Sequence, residues 1–140
     1  MDYLQILFFL VFAATALAGV YLLIAKPTNG NPLLAACLCG LFFGYTVVQL
    51  WQEGAMMFFT NHSANLTGIQ VWWDLVMSVL IALFFILPRA RKVGMNVVPW
   101  ALLVGTTASI GLLAMIARLF WLENTARRAD TPSTKAHAVA

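Results

Sequence analysis

The stretch GIQVWWDLVMSVLIALFFILPRARKVGM, residues 68–95, decides the fold class. Its apolar part, residues 69–87, has the length of about 20 residues that a helix needs to cross a hydrocarbon core of about 30 Å. Basic residues follow at once, as is common where a span leaves the membrane on the cytoplasmic side. One residue interrupts the pattern, because Asp74 places a carboxylate behind two tryptophans and inside the apolar run. The stretch therefore predicts a transmembrane helix with one polar position to explain.

The composition of the whole chain extends this prediction. Of its 140 residues 62% are hydrophobic and 9% are charged, whereas soluble domains carry about 25% charged residues. Residues 3–25, 33–51 and 97–122 are further apolar segments of spanning length, and a segment in lipid must satisfy its own backbone polar groups. The sequence therefore predicts an all-α fold, a four-helix transmembrane bundle of two antiparallel hairpins over residues 1–123. A disordered polar tail is predicted over residues 124–140.

The connections between these segments predict the topology. Residues 26–32 (KPTNGNP) contain two prolines and a glycine, which is typical of a tight turn. Residues 53–68 are longer and amphipathic, and we expect them to lie at the membrane interface. The basic residues of the two tight turns favour a cytoplasmic location for these turns, with both termini outside. The cations Arg127, Arg128 and Lys135 of the tail oppose that orientation.

The net charge of +3 comes from a few basic residues near span ends. Anionic lipid headgroups account for them better than nucleic acid does. The expected partner is therefore the lipid bilayer, and no nucleic acid is expected.

Small residues recur at four-residue spacing in three of the segments. They are Ala14 and Ala18; Ala36, Gly40 and Gly44; and Ala101, Gly105 and Ser109. This spacing places them on one face of each helix, where they allow close approach of a neighbouring helix. The pattern predicts either a compact bundle or association into a homodimer or larger membrane complex, and does not choose between them.

Polar residues gather around Asp74. Gln70 and Ser78 precede and follow it by four residues and share its helix face. If the last segment is one helix that returns to the side on which the third begins, Arg118 lies at the depth of Asp74. Because charged groups in the hydrocarbon are usually paired, we expect these two residues to form an ion pair. The pair either fixes two helices together or lines a polar pocket for a ligand.

A second polar stripe, Tyr45, Gln49 and Glu53, descends to the same end, and His62 lies in the connection between the two stripes. The candidate ligand-binding residues are Gln49, Glu53, Gln70, Trp73, Asp74, Ser78 and Arg118. The candidates for acid–base catalysis are Asp74, Glu53 and His62. The sequence predicts no metal site and no cofactor, since its two histidines give little scope for either.

The polar positions of this region resemble a known family. The positions that carry the resemblance are Asn65, Asp74, Ser78, Arg91, Lys92, Gly94 and Met95. Their spacing is similar to that of the small bacterial integral membrane proteins of domain-of-unknown-function family 2834, over residues 65–95. The resemblance implies a multi-pass helical protein of the bacterial inner membrane and marks Asn65 and Gly94 as structural positions. It implies no reaction.

Three functions are compatible with these features. The first is a small accessory or scaffolding subunit, which the small-residue faces favour. The second is a membrane enzyme similar in outline to isomerases and cyclases, acting on a lipid or isoprenoid with Asp74 or Glu53 as the acid–base group. The third is a small dimeric transporter, although such proteins use an acidic residue within the first helix and this chain has none there.

Overall fold

A computed structural model describes residues 2–25 and 30–130 of the chain. Within these ranges the secondary structure is entirely helical. The helices are α1 (Tyr3–Ala25), α2 (Pro32–Glu53), α3 (Ala55–Ser63), α4 (Leu66–Lys92), α5 (Val97–Thr107) and α6 (Ser109–Asp130). Helix α1 belongs to one structural unit, and helices α2 to α6 belong to a second.

Asp2 precedes the first residue of helix α1. Its side chain accepts a hydrogen bond of 2.7 Å from the backbone N–H of Tyr3. The side chain of Gln5 accepts one in return from the backbone N–H of Asp2, so donors that a helix start leaves without partners are satisfied. The helix carries no charged residue between Tyr3 and Ala25. The turn predicted after α1 includes residues 26–29, which lie outside the described residues.

Within residues 2–25 and 30–130, three helices are long and apolar enough to cross a membrane, which fits a membrane protein. The spans are Tyr3–Tyr21, Pro32–Glu53 and Leu66–Lys92. The first two start within a residue of the predicted segments, and α4 extends the third at both ends. Between α2 and α4, the predicted interfacial connection contains the short helix α3.

The predicted fourth span, residues 97–122, is not one helix. It is divided at Ala108, which adopts φ 47 and ψ −114 between α5 and α6. A Cβ atom on Gly111 would lie 2.8 Å from the carbonyl of Leu103, whereas a continuous helix would separate two such residues by about 12 Å. The chain therefore reverses direction at Ala108 and forms a hairpin of α5 and α6.

Local chemistry explains the break. The hydroxyl of Thr106 donates to the carbonyls of Leu102 and Leu103, and that of Thr107 donates to Leu103 at 2.7 Å. Such bonds compete with the main-chain ladder of a helix and bend it. Helix propensity is also weakest here, because glycine and β-branched residues follow one another at Gly105, Thr106 and Thr107.

The hairpin packs against the end of α4. The buried core of the second unit consists of Ile86, Ala90, Met95, Val104, Met115 and Leu119. Helix α4 ends at a left-handed glycine, Gly94 with φ 71. Hydrogen bonds from Gly94 to the Arg91 carbonyl and from Met95 to the Ala90 carbonyl close this end, as in a Schellman motif. The motif turns the chain into α5 and brings Met95 onto Ala90 in the core.

Helix α2 packs against the start of α6. The thiol of Cys39 donates a hydrogen bond of 3.4 Å to the carbonyl oxygen of Ile110. At the far end of the hairpin, α6 continues to Asp130. Residues 124–130, which the sequence predicted to belong to a disordered tail, are therefore helical, and residues 131–140 lie outside the described residues.

The first prediction concerns the crossing of α5 and α6. We expect Gly111→Ala to lower the free energy of unfolding by about 1–3 kcal/mol, the typical effect of overpacking, because its Cβ would meet the Leu103 backbone. Gly105→Ala is the matched control, since a Cβ there meets nothing within 4 Å. Thermal unfolding in a mild detergent measures both. Equal unfolding temperatures for the two variants would contradict the hairpin geometry.

Candidate functional site

The N-terminus of α4 is built around Asn65. Its side-chain oxygen accepts a hydrogen bond of 2.8 Å from the backbone N–H of Gly68. A Cβ on Gly68 would lie 2.8 Å from the carbonyl oxygen of Asn61 in α3, so only glycine allows this approach of the two helices. Asn65 and Gly68 therefore set the α3–α4 corner, a name used here for residues 58–72.

Three rings close this corner. The Phe58 ring lies 4.9 Å from that of His62 and 5.3 Å from that of Trp72, centroid to centroid. The His62 and Trp72 rings are 6.0 Å apart. His62 Nδ1 donates a hydrogen bond of 2.6 Å to the Phe58 carbonyl oxygen, which can only accept, so this nitrogen carries the hydrogen. His62 is thus held as part of a packed aromatic cluster.

A shallow, open depression of about 370 Å³ lies at the corner. It is lined by Asn61, His62, Asn65, Thr67, Gly68 and Val71. Of the residues proposed for catalysis from the sequence, only His62 lines it, and Asp74 and Glu53 do not. An open depression excludes little water, so it offers poor shielding for acid–base chemistry.

Asp74 lies on the exposed side of α4 with Gln70 and Ser78. We call these three residues the α4 polar stripe. The core-facing side of the same helix is opposite, where Val79 and Leu83 pack against the buried cluster. Within the described residues no hydrogen bond or ion pair is found for Asp74, and its neighbour Trp73 is also exposed. The α4 polar stripe thus faces away from the rest of its own unit.

The predicted pairing of Asp74 with Arg118 does not occur. Arg118 is exposed and stacks on Trp121, with its guanidinium carbon 4.4 Å from the ring centroid. The prediction assumed one continuous last helix, but the reversal at Ala108 sends α6 back to the other end of α4. Asp74 lies about 22 Å along α4 from Arg89, at 1.5 Å per residue, whereas Arg118 lies only about 7.5 Å along α6 from Glu123, the residue that pairs with Arg89.

The ion pair that the described chain does contain joins Arg89 and Glu123. Two parallel bonds of 3.0 and 2.8 Å link the guanidinium to the carboxylate, and the Arg89 guanidinium also lies 5.6 Å from the Phe120 ring centroid. Bidentate geometry fixes the two helices more firmly than a single contact does. Sequence reasoning missed this pair because it placed the ends of α4 and α6 on opposite sides. The signal was Gly105 to Gly111, a weak helical segment in the middle of the last span.

The remaining sequence candidates are dispersed. Gln49 is half-buried on α2, while Tyr45 and Glu53 of the same helix are exposed. Among the described residues no group of three or more histidine, cysteine, aspartate or glutamate side chains is placed to hold a metal ion. The structure thus brings together His62 and Asn65 at the corner, and Gln70, Asp74 and Ser78 on the stripe. It does not join these groups to Glu53 or Arg118.

The part of the chain that the structure describes is all-α, and three of its helices are long and apolar enough to cross a membrane. No family model, no curated protein and no solved structure matches this chain. The likeness to family 2834 stays a prediction from the spacing of its polar residues.

The second prediction concerns the α3–α4 corner. We expect Asn65→Ala to destabilise the first turn of α4 by about 1 kcal/mol, the usual effect of losing a side-chain cap. Asn65→Asp retains an accepting oxygen and is the matched control. Hydrogen exchange of the peptide containing Gly68 measures the effect in detergent. Unchanged exchange in Asn65→Ala would show that the capping bond does not hold the corner.

Proposed function

We propose that this chain is a small accessory subunit of a membrane protein assembly, and that the α4 polar stripe packs against a helix of another chain. The observation that carries the proposal is the exposure of Asp74 on a helix of spanning length, with no described partner in its own chain. Asp74 lies about 12 Å along α4 from Leu66, which is inside the hydrocarbon layer for a helix centred on the bilayer.

The energetics favour an external partner. A charged aspartate at the centre of a transmembrane helix costs about 2.5–3.5 kcal/mol on insertion scales, and such residues usually face protein. Asp74 lies about 7.5 Å from the centre of α4, so this figure is an upper value for its cost. Here the protein-facing side of α4 is the opposite one. A partner helix at the α4 polar stripe would offset this cost by supplying hydrogen bonds to the carboxylate.

The chemistry of the stripe favours a different chain over a second copy. Two copies of α4 related by a two-fold axis along the membrane normal would bring two Asp74 carboxylates to the same depth, where like charges repel. Among the described residues, the cations Arg89 and Arg118 cannot relieve that repulsion, since they lie towards the other end of α4. We therefore expect the partner helix to carry a lysine, arginine or amide side chain at the depth of Asp74.

A second exposed face supports assembly. A Cβ atom on Gly40 or Gly44 would meet nothing within 4 Å, and Ala36 is exposed. The small-residue face of α2 is thus not used by its own unit and is open to close approach. The glycines that do make close contacts are Gly68 and Gly111.

The other two functions receive less support. For a membrane isomerase or cyclase, the proposed groups Asp74, Glu53 and His62 would have to meet around a substrate, and among the described residues no hydrogen bond joins them. For a transporter, an acidic residue is expected in the first helix, and α1 carries none. The resemblance to family 2834 favours the inner membrane of a bacterium as the location.

We further propose a topology with three crossings. Helix α5 has a length of about 16 Å, about half of the hydrocarbon thickness, and the Arg89–Glu123 pair returns α6 to the end of α4. The hairpin then enters and leaves the membrane on one side. Arg91 and Lys92 share this side with Arg127 and Arg128, so the positive-inside rule assigns all four to the cytoplasm. This arrangement removes the conflict that the tail cations present for a four-span bundle.

The third prediction concerns the partner. A photo-crosslinking amino acid at Ser78 should capture a second protein in native membranes, because Ser78 lies one turn from Asp74 on the stripe. The same amino acid at Leu80, exposed on another side of α4, is the matched control and should capture lipid. Asp74→Leu should reduce the Ser78 adduct at least fivefold, since it removes the charged partner.

Peptide sequencing of the captured protein decides between the possible occupants. The proposal requires a membrane helix with a basic or amide side chain near the cross-link. An adduct of this chain with itself would overturn the choice of a different partner. The absence of a protein adduct, together with a monomer in several mild detergents, would overturn the accessory role.

The fourth prediction concerns topology. A reporter that is active only in the cytoplasm should be active when fused after Asp130 and inactive when fused before Tyr3, because three crossings place the ends on opposite sides. A fusion after Lys92 is the control and should give the same result as the fusion after Asp130. If the reporter were active at only one of these two positions, α5 and α6 would together form a fourth crossing, and the three-crossing topology would be wrong.

A further inference from the structure

The outer side of α6 carries a regular set of polar and aromatic residues. Arg118, Trp121, Thr125 and Arg128 follow one another at intervals of three, four and three residues and are all exposed. This spacing places them on one face of a helix, which we call the α6 outer face. Met115 and Leu119, both 0% exposed, lie on the inner side. Glu123 also faces inward, towards Arg89 of α4.

Arg118 is held in place but has no anion beside it in the described chain. Its guanidinium lies 4.4 Å from the centroid of the Trp121 ring, and the Thr125 hydroxyl donates a bond of 2.8 Å to the Trp121 carbonyl. Stacking on an aromatic face leaves the N–H edges of a guanidinium open to an acceptor. The inward-facing carboxylate of Glu123 is already occupied on both oxygens by Arg89.

The depth of Arg118 and Arg128 in the membrane indicates which hydrogen-bond acceptors lie beside their guanidinium groups. In the three-crossing topology proposed above, on which this inference rests, Arg118 lies about 7.5 Å along α6 on the hydrocarbon side of Glu123, and Arg128 lies about 7.5 Å on the aqueous side, at 1.5 Å per residue. Each headgroup layer is roughly 5–7 Å thick. The α6 outer face therefore crosses the layer in which lipid phosphates lie, and Trp121 is at the level that tryptophans favour.

We propose that the α6 outer face binds the phosphate of an anionic phospholipid in the cytoplasmic leaflet. Arg118 supplies planar guanidinium donors that match a phosphate, and Trp121 packs against the glycerol and the first part of the acyl chains. Arg128, about 15 Å further along α6, adds positive charge on the aqueous side. No described acidic side chain shares this face, so its charge favours a lipid with a net negative headgroup over a zwitterionic one. Free phosphate in water would not reach the level of Arg118 and would leave Trp121 without a contact.

The site is separate from the α4 polar stripe and does not depend on the partner proposed there. Its ligand is a lipid at the basic end of α4, whereas the stripe takes a protein helix near the other end. Loss of either interaction in an experiment would leave the other testable.

Native mass spectrometry of the purified full chain in a neutral detergent tests the proposal. The probes are phosphatidylglycerol and phosphatidylcholine with the same acyl chains, added in equal amounts. We expect the wild type to retain phosphatidylglycerol preferentially, and Arg118→Gln to lower its retention about five- to tenfold, the loss of one charge-assisted bidentate contact. Arg118→Lys keeps the charge but not the planar donors, so it should fall between the two.

Arg91→Gln is the matched control. It removes one positive charge from an exposed residue at the C-terminal end of α4, the end to which α6 returns. We expect this variant to retain phosphatidylglycerol within about twofold of wild type, because exposed charges away from the site act weakly. Trp121→Leu provides a second variant that keeps an apolar side chain and removes the stacking surface, and it should also weaken retention. Circular dichroism verifies that each variant keeps its helix content.

Three results would overturn the proposal. Equal retention of the two lipids by the wild type would show that the face does not recognise an anionic headgroup. An equal loss in Arg91→Gln and Arg118→Gln would show that net charge alone attracts the lipid. Millimolar inorganic phosphate should not displace phosphatidylglycerol, and displacement would overturn the choice of a lipid as the ligand.

Discussion

The close approach of Gly111 to the backbone of Leu103 is the constraint on which the second unit depends. Without a side chain at Gly111, α6 can fold back on α5 after a single residue, Ala108. The reversal places Met115 and Leu119 against Val104 and Ile86, and those side chains form the buried core. Because lipid removes the hydrophobic driving force between helices, such packing has to supply the association energy itself. The core and the Arg89–Glu123 pair both follow from one glycine contact.

This reversal also sorts the polar residues into two groups. The carboxylate of Asp74 is near one end of α4, beside the α3–α4 corner, and the cations of α4 and α6 are at the other. A straight last helix would have mixed the two groups by carrying Arg118 to the Asp74 level. Opposite charges that are kept about 20 Å apart along a helix cannot neutralise one another. Within the unit Glu123 pairs with Arg89, whereas the described residues offer no partner to Asp74 and no anion to Arg118.

Sequence reasoning was able to predict those features that are local in the chain. Apolar length predicts α1, α2 and α4 because a helix satisfies its own backbone. The family resemblance marked Asn65 and Gly94 only as structural positions, and the structure shows them to be a helix cap and a left-handed turn. The break at Ala108 was not predicted, because hydropathy reports transfer to lipid and is insensitive to a kink within an apolar segment. The positions of Arg118 and Glu123 depend on that break. The partners of these two residues were therefore not predicted. The small-residue spacing likewise did not identify Gly68 and Gly111, the glycines that approach the backbone of a neighbouring helix.

The balance of energies connects the exposed acid with an accessory role. A charge at the centre of a transmembrane helix costs about 2.5–3.5 kcal/mol on insertion scales, and Asp74 is exposed on α4 inside its apolar run. In the proposed assembly, hydrogen bonds from the partner helix to the carboxylate would offset this cost. Stability of the free chain and occupancy of the α4 polar stripe are then linked by mass action, since a ligand that binds only the folded form stabilises it. In the proposed accessory role, Asp74 would thus make the persistence of this chain in the membrane depend on the partner helix.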